Sequence, residues 1–347
     1  MSELDLILKK IIKNKINRWL ITGVAGFIGS NLLENLLKNN QRVLGIDNLS
    51  TGFNKNLNLV KRSVSKKQWK NFTFIKKSIE DYHSCIVACK DIDYVLHQAA
   101  IGSVPRSIKD PIFTNKSNVT GFLNILTAAK NAKVKNFVYA SSSSVYGNNL
   151  KLPKIEKNIG DALSPYAYTK QINETYAKIF SKTYGLKCVG LRYFNVFGKN
   201  QNPNGVYAAV IPRWILNMIN NQRIEIFGDG KTTRDFCFID NVVQANISAA
   251  IRSKTLNEVY NVANGNQISL NELFNEIKKN LKKNGIIYAK KPKYLSFRSG
   301  DIRFSLASIN KIKRKLKYKP VHNFRSGIQK LITLYIKQKN FYKIKND

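Results

Sequence analysis

The chain has 347 residues, with 58 Lys+Arg against 21 Asp+Glu and a formal net charge of +37. Apolar residues make up 43%, enough for a sizeable core, so a disordered chain is excluded. The charge does not predict a nucleic-acid partner: lysine is spread along the whole chain beside abundant Ile and Asn, and no nucleic-acid motif accompanies it. No run of ~18 uninterrupted apolar residues exists, so no membrane span or membrane partner is expected.

The N-terminal MSELDLILKKIIKNKINRW reads as a short amphipathic helix rather than a secretory signal or anchor. Buried-strand patterns follow at Arg18–Thr22, Arg42–Asp47, Phe72–Ile75, Tyr94–Gln98, Phe137–Ser141 and Cys188–Tyr193. Helical patterns lie at Asn31–Asn39, Tyr82–Cys89, Ile112–Ala132 and Tyr166–Tyr184. This alternation predicts an α/β fold, a Rossmann-like doubly wound parallel sheet. Beyond Tyr193 the pattern shifts to a turn-rich loop at Asn200–Gly205, a helix at Ile211–Asn220, strands at Ile224–Phe227 and Val259–Val262, and a helix opened by Ser269. We therefore expect residues 1–198, with a returning segment at 235–265, to bind a cofactor. Residues 199–234 and 266–347 are expected to form a smaller C-terminal α/β lobe for the substrate. Cys85, Cys89, Cys188 and Cys237 are too few for a disulfide framework, and no partner completes a metal site around them. A reducing cytoplasm is expected, and no metal.

The first chemical motif is Thr22-Gly23-Val-Ala-Gly26-Phe27-Ile28-Gly29, between a strand and a helix. Glycines there allow a tight turn and close approach to a pyrophosphate, and the helix N-terminus offers free N–H groups. Asp47, about two dozen residues after Gly23, ends the second strand and is placed to accept from ribose hydroxyls. Its charge repels a 2′-phosphate, so NAD is favoured over NADP. Asn48, Thr51 and Gly52 follow on the adenine side, and Gln98, Ala99 and Ala100 are small or flat enough for a cofactor to lie against the fourth strand's end. Tyr166 and Lys170 occupy i and i+4 of one helix and share a face, so the ammonium and a cationic nicotinamide can favour a phenolate base. The serine run Ser141–Ser144 ends the fifth strand, where a hydroxyl can share a proton with a substrate hydroxyl.

Taken together, TGVAGFIG, Asp47-Asn48, HQAA, SSSSVYG and YAYTK resemble the extended short-chain dehydrogenases/reductases. LRYFNVFG, AAVIPRW, FGDG, TRDF and RSGD are similar to nucleotide-sugar 4-epimerases, and the agreement runs from Trp19 to Pro320. LHQAAIGSVPRSIKDP resembles in particular the bacterial UDP-N-acetylglucosamine 4-epimerases of the surface-polysaccharide (O-antigen) type, which serve lipopolysaccharide biosynthesis. The resemblance implies an isomerase in which Tyr166 is the base, Ser142 or Ser143 assists at the sugar 4-hydroxyl, and Lys170 binds the nicotinamide ribose, supported by Asn118. It places Tyr193 near the nicotinamide and Ile79 in the cofactor site, where Ser78 replaces an acid usual in the family. It implies UDP-sugar contacts from Ser103, Asn195, Val210, Arg234, Arg298 and Asp301.

Dehydratases of the family carry an acid directly after the serine/threonine turn; here Ser144-Val145 stand there, which favours plain epimerisation. In the family a bulky residue at the position of Ser305 restricts the sugar pocket, and a small one admits an N-acetyl group. UDP-GlcNAc/UDP-GalNAc are thus the expected substrates. The corresponding uronates are the alternative, with Arg106 a possible cation for the carboxylate. A net-redox 4-ketoreductase and a non-catalytic NAD-binding module are weaker readings. The resemblance also implies a homodimer through Ile112–Ala132 and Tyr166–Tyr184.

Overall fold

The structure is a computed structural model describing residues 2–204, 208–297 and 302–343. Seven strands form one sheet: β1 (Arg18–Thr22), β2 (Arg42–Ile46), β3 (Phe72–Ile75), β4 (Tyr94–His97), β5 (Asn136–Ser142), β6 (Cys188–Tyr193) and β7 (Asn257–Val262). Their spatial order is β7-β6-β5-β4-β1-β2-β3, with every pairing parallel. Buried apolar residues alternate between the faces: Trp19 and Ile21 join one core cluster, and Leu20 joins the other. Val138 likewise opposes Phe137 and Tyr139. That two-residue period is what a strand covered on both sides produces. The strand order reverses between β1 and β4, so the crevice for a ligand opens at their carboxyl ends.

The principal helices are α1 (Glu3–Ile12), α2 (Phe27–Lys38), α3 (Tyr82–Cys89), α4 (Gly121–Asn131), α5 (Pro165–Tyr184), α6 (Val210–Ile219), α7 (Ile239–Arg252), α8 (Leu270–Lys283) and α9 (Phe324–Lys343). In α1, Ser2 and Asp5 cap the first turn reciprocally, and Leu4, Leu8, Ile11 and Ile12 form the buried stripe. Ser269 and Glu272 make the same reciprocal cap on α8. In α5, Ser164 caps and Pro165 takes the first helical position, while Gly185 ends the helix in the left-handed region.

One expected helix is not continuous. Ile112–Ala132 divides into Pro111–Asn115, a π turn at Lys116–Thr120, and α4. Gly121 abuts Ile79, where a Cβ would lie 2.7 Å from the Ile79 Cδ1. The wide turn brings Asn118 inward, and such insertions often mark functional sites. Helix α7 is buried along its length, from Ile239 to Ala250, its polar Asp240, Asn241, Gln244, Asn246 and Ser248 included. After α7 the chain returns to the sheet as β7, beside β6. The four cysteines are buried free thiols. Among the described residues no helix is long and apolar enough to cross a membrane.

Candidate active site

Gly23 leaves β1 with φ +68°, and a Cβ on it would sit 2.7 Å from the Ala99 backbone nitrogen. A Cβ on Gly29 would collide with the Gly23 carbonyl. The two glycines therefore let β1, β4 and the start of α2 close onto one another. Gly26 is the cap residue of α2, and the helical ladder begins with Ser30 N–H on the Gly26 carbonyl at 3.1 Å. The earlier N–H groups, with the positive end of the helix dipole, are available to an anion. Asp47 shapes the other wall: Ala25 N–H donates to its Oδ2 at 2.9 Å and Leu49 N–H to its Oδ1 at 2.8 Å. Burial raises its pKa against those two donors.

Together with Phe27, Ile28, Asn48, Thr51, Gly52, Ile79, Gln98, Ala99 and Ala100, these residues line a cavity of about 350 Å³. Asn48 donates to Ser78 Oγ at 3.4 Å, so the serine in place of an acid is integrated into the wall. A glycine cradle, a helix N-terminus and a strand-end carboxylate fit a dinucleotide: the first two suit its pyrophosphate, the last its ribose.

The chemical groups gather at the carboxyl ends of β4, β5 and β6. Tyr166 opens α5 and is partly buried; its N–H donates to Ser107 Oγ at 3.0 Å. Burial raises the phenol's pKa, and a hydrogen bond with Ser142 opposes that rise. Ser142 Oγ also accepts from the Ser144 N–H at 3.1 Å, while neighbouring Ser143 begins a short 3-10 turn. Lys170 is buried and its Nζ donates to the Ala140 carbonyl at 2.8 Å. Burial pushes its pKa down to about 8, with the Glu174 carboxylate opposing. Asn118 reaches not the lysine but its neighbour. Its Nδ2 donates to Thr169 Oγ1 at 3.2 Å, and its amide clamps the Ile101 backbone at 2.7 and 3.1 Å.

Tyr193, at the end of β6, lies in a three-residue cluster that sequence reasoning did not find. Its hydroxyl donates to Gln98 Oε1 at 3.0 Å, while Asn246 Nδ2 donates to it at 2.9 Å. Gln98 Nε2 donates to Asn246 Oδ1 at 3.0 Å. Asn246 comes from α7, and only folding brings it to β6. His97 pairs with Thr22 Oγ1 at 2.8 Å, and burial pushes its pKa down to about 3, so it is a neutral core group.

A second cavity, about 400 Å³, meets the first at Gly102 and is lined by Ser103, Asn195, Val210, Arg213, Glu225, Phe227 and Arg234 among others. Four of these span β6's exit, α6 and the strand pair Thr233–Arg234 with Ile268–Ser269. Asn195, at φ +33°, donates to the Asp235 carbonyl at 3.4 Å. The Asp235 carboxylate accepts from the backbone N–H of Asn264, Gly265 and Ala307 at 3.0–3.2 Å, and burial pushes its pKa up to about 6. Ser305 is partly buried in the segment held by Thr233 N–H on the Arg303 carbonyl and Lys154 N–H on the Leu306 carbonyl. Arg298 and Asp301 lie outside the described residues.

Residues 19–263 match the model of the NAD dependent epimerase/dehydratase family. A putative UDP-glucose 4-epimerase of Methanocaldococcus jannaschii is 35% identical over 314 residues, 90% of this chain and 96% of that protein. The solved UDP-N-acetylglucosamine 4-epimerase of Methanobrevibacter ruminantium superposes with a TM-score of 0.84 at 38% identity, covering 93% of this chain and 99% of the other. A Bacillus cereus UDP-glucuronic acid 4-epimerase solved with NAD superposes at 0.81 and 31% identity, covering 92% and 99%.

Proposed function

Since the chain belongs to the NAD-dependent epimerase/dehydratase family and is an enzyme of the UDP-sugar 4-epimerase type, we propose that it interconverts UDP-GlcNAc and UDP-GalNAc. The observation that carries the substrate choice is Ser305, a small side chain on the segment beside the Arg234 strand. Similarity to the M. ruminantium UDP-N-acetylglucosamine 4-epimerase supports it. The corresponding uronate is the second reading. Among the described residues lining the second cavity, Arg213 is a cation beyond the one assigned to the diphosphate, and it suits an additional anionic group.

In this reading Gly23, Gly26, Gly29 and Asp47 hold the dinucleotide, with Tyr193 and Gln98 at its nicotinamide end. NAD, when bound, supplies the acceptor and donor of hydride at sugar C4. Tyr166 takes the proton of the 4-hydroxyl and returns it, Ser142 or Ser143 shares it, and Lys170 stabilises the phenolate. Asn195, Val210, Arg234, Arg298 and Asp301 anchor the UDP, so the sugar alone is free to turn, and C4 would take its hydride back on the opposite face while Tyr166 returns the proton to the oxygen.

We also propose that residues 1–198 with 235–265 serve the cofactor, that 199–234 and 266–347 serve the nucleotide-sugar, and that the enzyme is a cytoplasmic homodimer. Incubation with UDP-GlcNAc and no added cofactor, followed by proton NMR, tests the activity. UDP-GalNAc accumulating to a constant ratio supports the reading. Conversion only after NAD is added shows weak cofactor retention, the consequence expected of Ser78. Conversion of the uronate alone moves the substrate. Failure on all three sinks it.

A further inference from the structure

Helix α5 is fastened to the carboxyl end of β5 at two consecutive residues. Lys170 Nζ donates to the Ala140 carbonyl at 2.8 Å, and one turn further the Ser141 hydroxyl donates to Glu174 Oε1 at 2.6 Å. The next residue along β5 is Ser142, the hydrogen-bond partner of Tyr166. The spacing of Ser142 and Tyr166 is thus set by these two fastenings. Glu174 is itself held from β6: Arg192 Nε donates to Oε1 at 2.8 Å and Nη2 to Oε2 at 2.7 Å. The remaining arm of Arg192 donates to the Glu156 carbonyl at 2.8 Å. The side chains of Arg192 and Glu174 are 3% and 12% exposed. A buried ion pair of this kind gives little net stability over apolar packing of the same volume. Its value here is geometric, because it meets the strand end that carries the serines.

We propose that Glu174 is a positioning residue for proton transfer: through Ser141 it sets Ser142 against Tyr166, and through its charge it keeps Lys170 an ammonium. The proposal deepens the epimerase reading above and rests on it. Among the described residues, Glu174 is the one anion acting on Lys170. Burial lowers the Lys170 pKa to about 8, and the Glu174 carboxylate is what raises it. His97 from β4 is held neutral by burial and by Lys170 itself. Tyr139 from β5 is pushed well up by burial, and Cys188 from β6 up to about 12, so both are uncharged at neutral pH. Arg192 is a second cation served by the same carboxylate.

The test is Glu174→Gln in the full-length protein, assayed with saturating NAD. The amide oxygen can still accept from Ser141, but the charge is gone. We expect kcat to fall ~10-fold or more with KM within about twofold. The alkaline limb of the kcat profile should move to lower pH by about one unit. Glu174→Asp keeps the charge but withdraws the carboxylate, so kcat should fall while the limb stays. Wild-type kcat and an unmoved limb in Glu174→Gln would overturn the proposal. If Glu174→Gln does not fold, Glu174→Asp decides: an undiminished kcat overturns, and a lowered kcat with an unmoved limb supports. If the wild type turns over no UDP-sugar, the epimerase reading fails separately. Carbon NMR of lysine Cε, assigned by the resonance lost in Lys170→Met, then decides by titration: a lower midpoint in Glu174→Gln supports, and an equal one overturns.

Discussion

At the residue scale, each chemical side chain owes its state to particular neighbours. A tyrosine in water is a poor base at neutral pH, and burial alone makes Tyr166 poorer. The Ser142 hydrogen bond works the other way. Tyr166→Phe should therefore lower kcat by roughly 10³-fold, as loss of a general base does, while co-purified NAD stays at the wild-type level. An HPLC assay of released nucleotide checks the second half. Ser305 is a question of volume. Ser305→Tyr should cut the kcat/KM for UDP-GlcNAc by ~10-fold or more relative to UDP-glucose, since a pocket discriminates by what it cannot admit. Equal losses on both sugars would remove Ser305 from the specificity argument. Tyr166, Lys170, Asp47 and the glycines stood out as candidates because i, i+4 on a helix and glycines between strand and helix are local patterns, though it took their combination to single them out. Asn246, Asp235 and Arg192 were not, because their partners are distant in sequence: Asn246 meets Gln98 across 148 positions.

At the element scale, close approach decides. The turn from β1 into α2 has no room for a Cβ at Gly29, which the Gly23 carbonyl already fills. Gly29→Ala should cost ~1–3 kcal/mol, as overpacking does. It should also strip the protein of its nucleotide by tilting the helix N-terminus off its aim. Thermal unfolding and the absorbance ratio of the purified protein read the two effects. The strands were legible because short apolar runs bounded by charges and glycines read as buried parallel strands. Helix α7 was not read, although Ile239, Val242, Val243 and Ile247 recur at helical spacing; its polar Asp240, Asn241, Gln244 and Ser248 are buried as well, so their polarity does not report exposure. The π turn at Lys116–Thr120 also escaped, since hydrophobic spacing records which residues are buried but not one residue of extra winding.

At the scale of the whole molecule, two buried groups set opposing pH responses. Asp235 has its pKa raised to about 6, so the fold binds its proton more tightly than the unfolded chain and stability falls as pH rises from ~4 to ~6. His97 is lowered to about 3, so stability rises with pH between ~3 and ~6.5. Through pH 4–6 the two offset one another. Asp235→Asn removes the first, so its stability, measured by urea unfolding, should climb more steeply with pH over that window than the wild type's. The outer surface bears on assembly. Ile112 is 80% exposed and Tyr168 60%, on the segments expected to pair two copies. Ile112→Glu should turn a dimer into a monomer by light scattering, and a wild type already monomeric would overturn that expectation.

Whatever depends on local pattern was determined by the sequence itself: a parallel α/β sheet, the glycine turn, the strand-end acid, and the tyrosine–lysine face. Alternation, spacing and backbone freedom act over a few residues, so they survive without knowledge of the fold. The tertiary structure alone decided which polar groups neutralise or orient them. Glu174 reaches Arg192 and Ser141, Tyr193 reaches Asn246, and Asp235 ties the Arg234 strand to the Ala307 segment. Those pairings are long-range, and their strength comes from burial, which no stretch of sequence carries by itself.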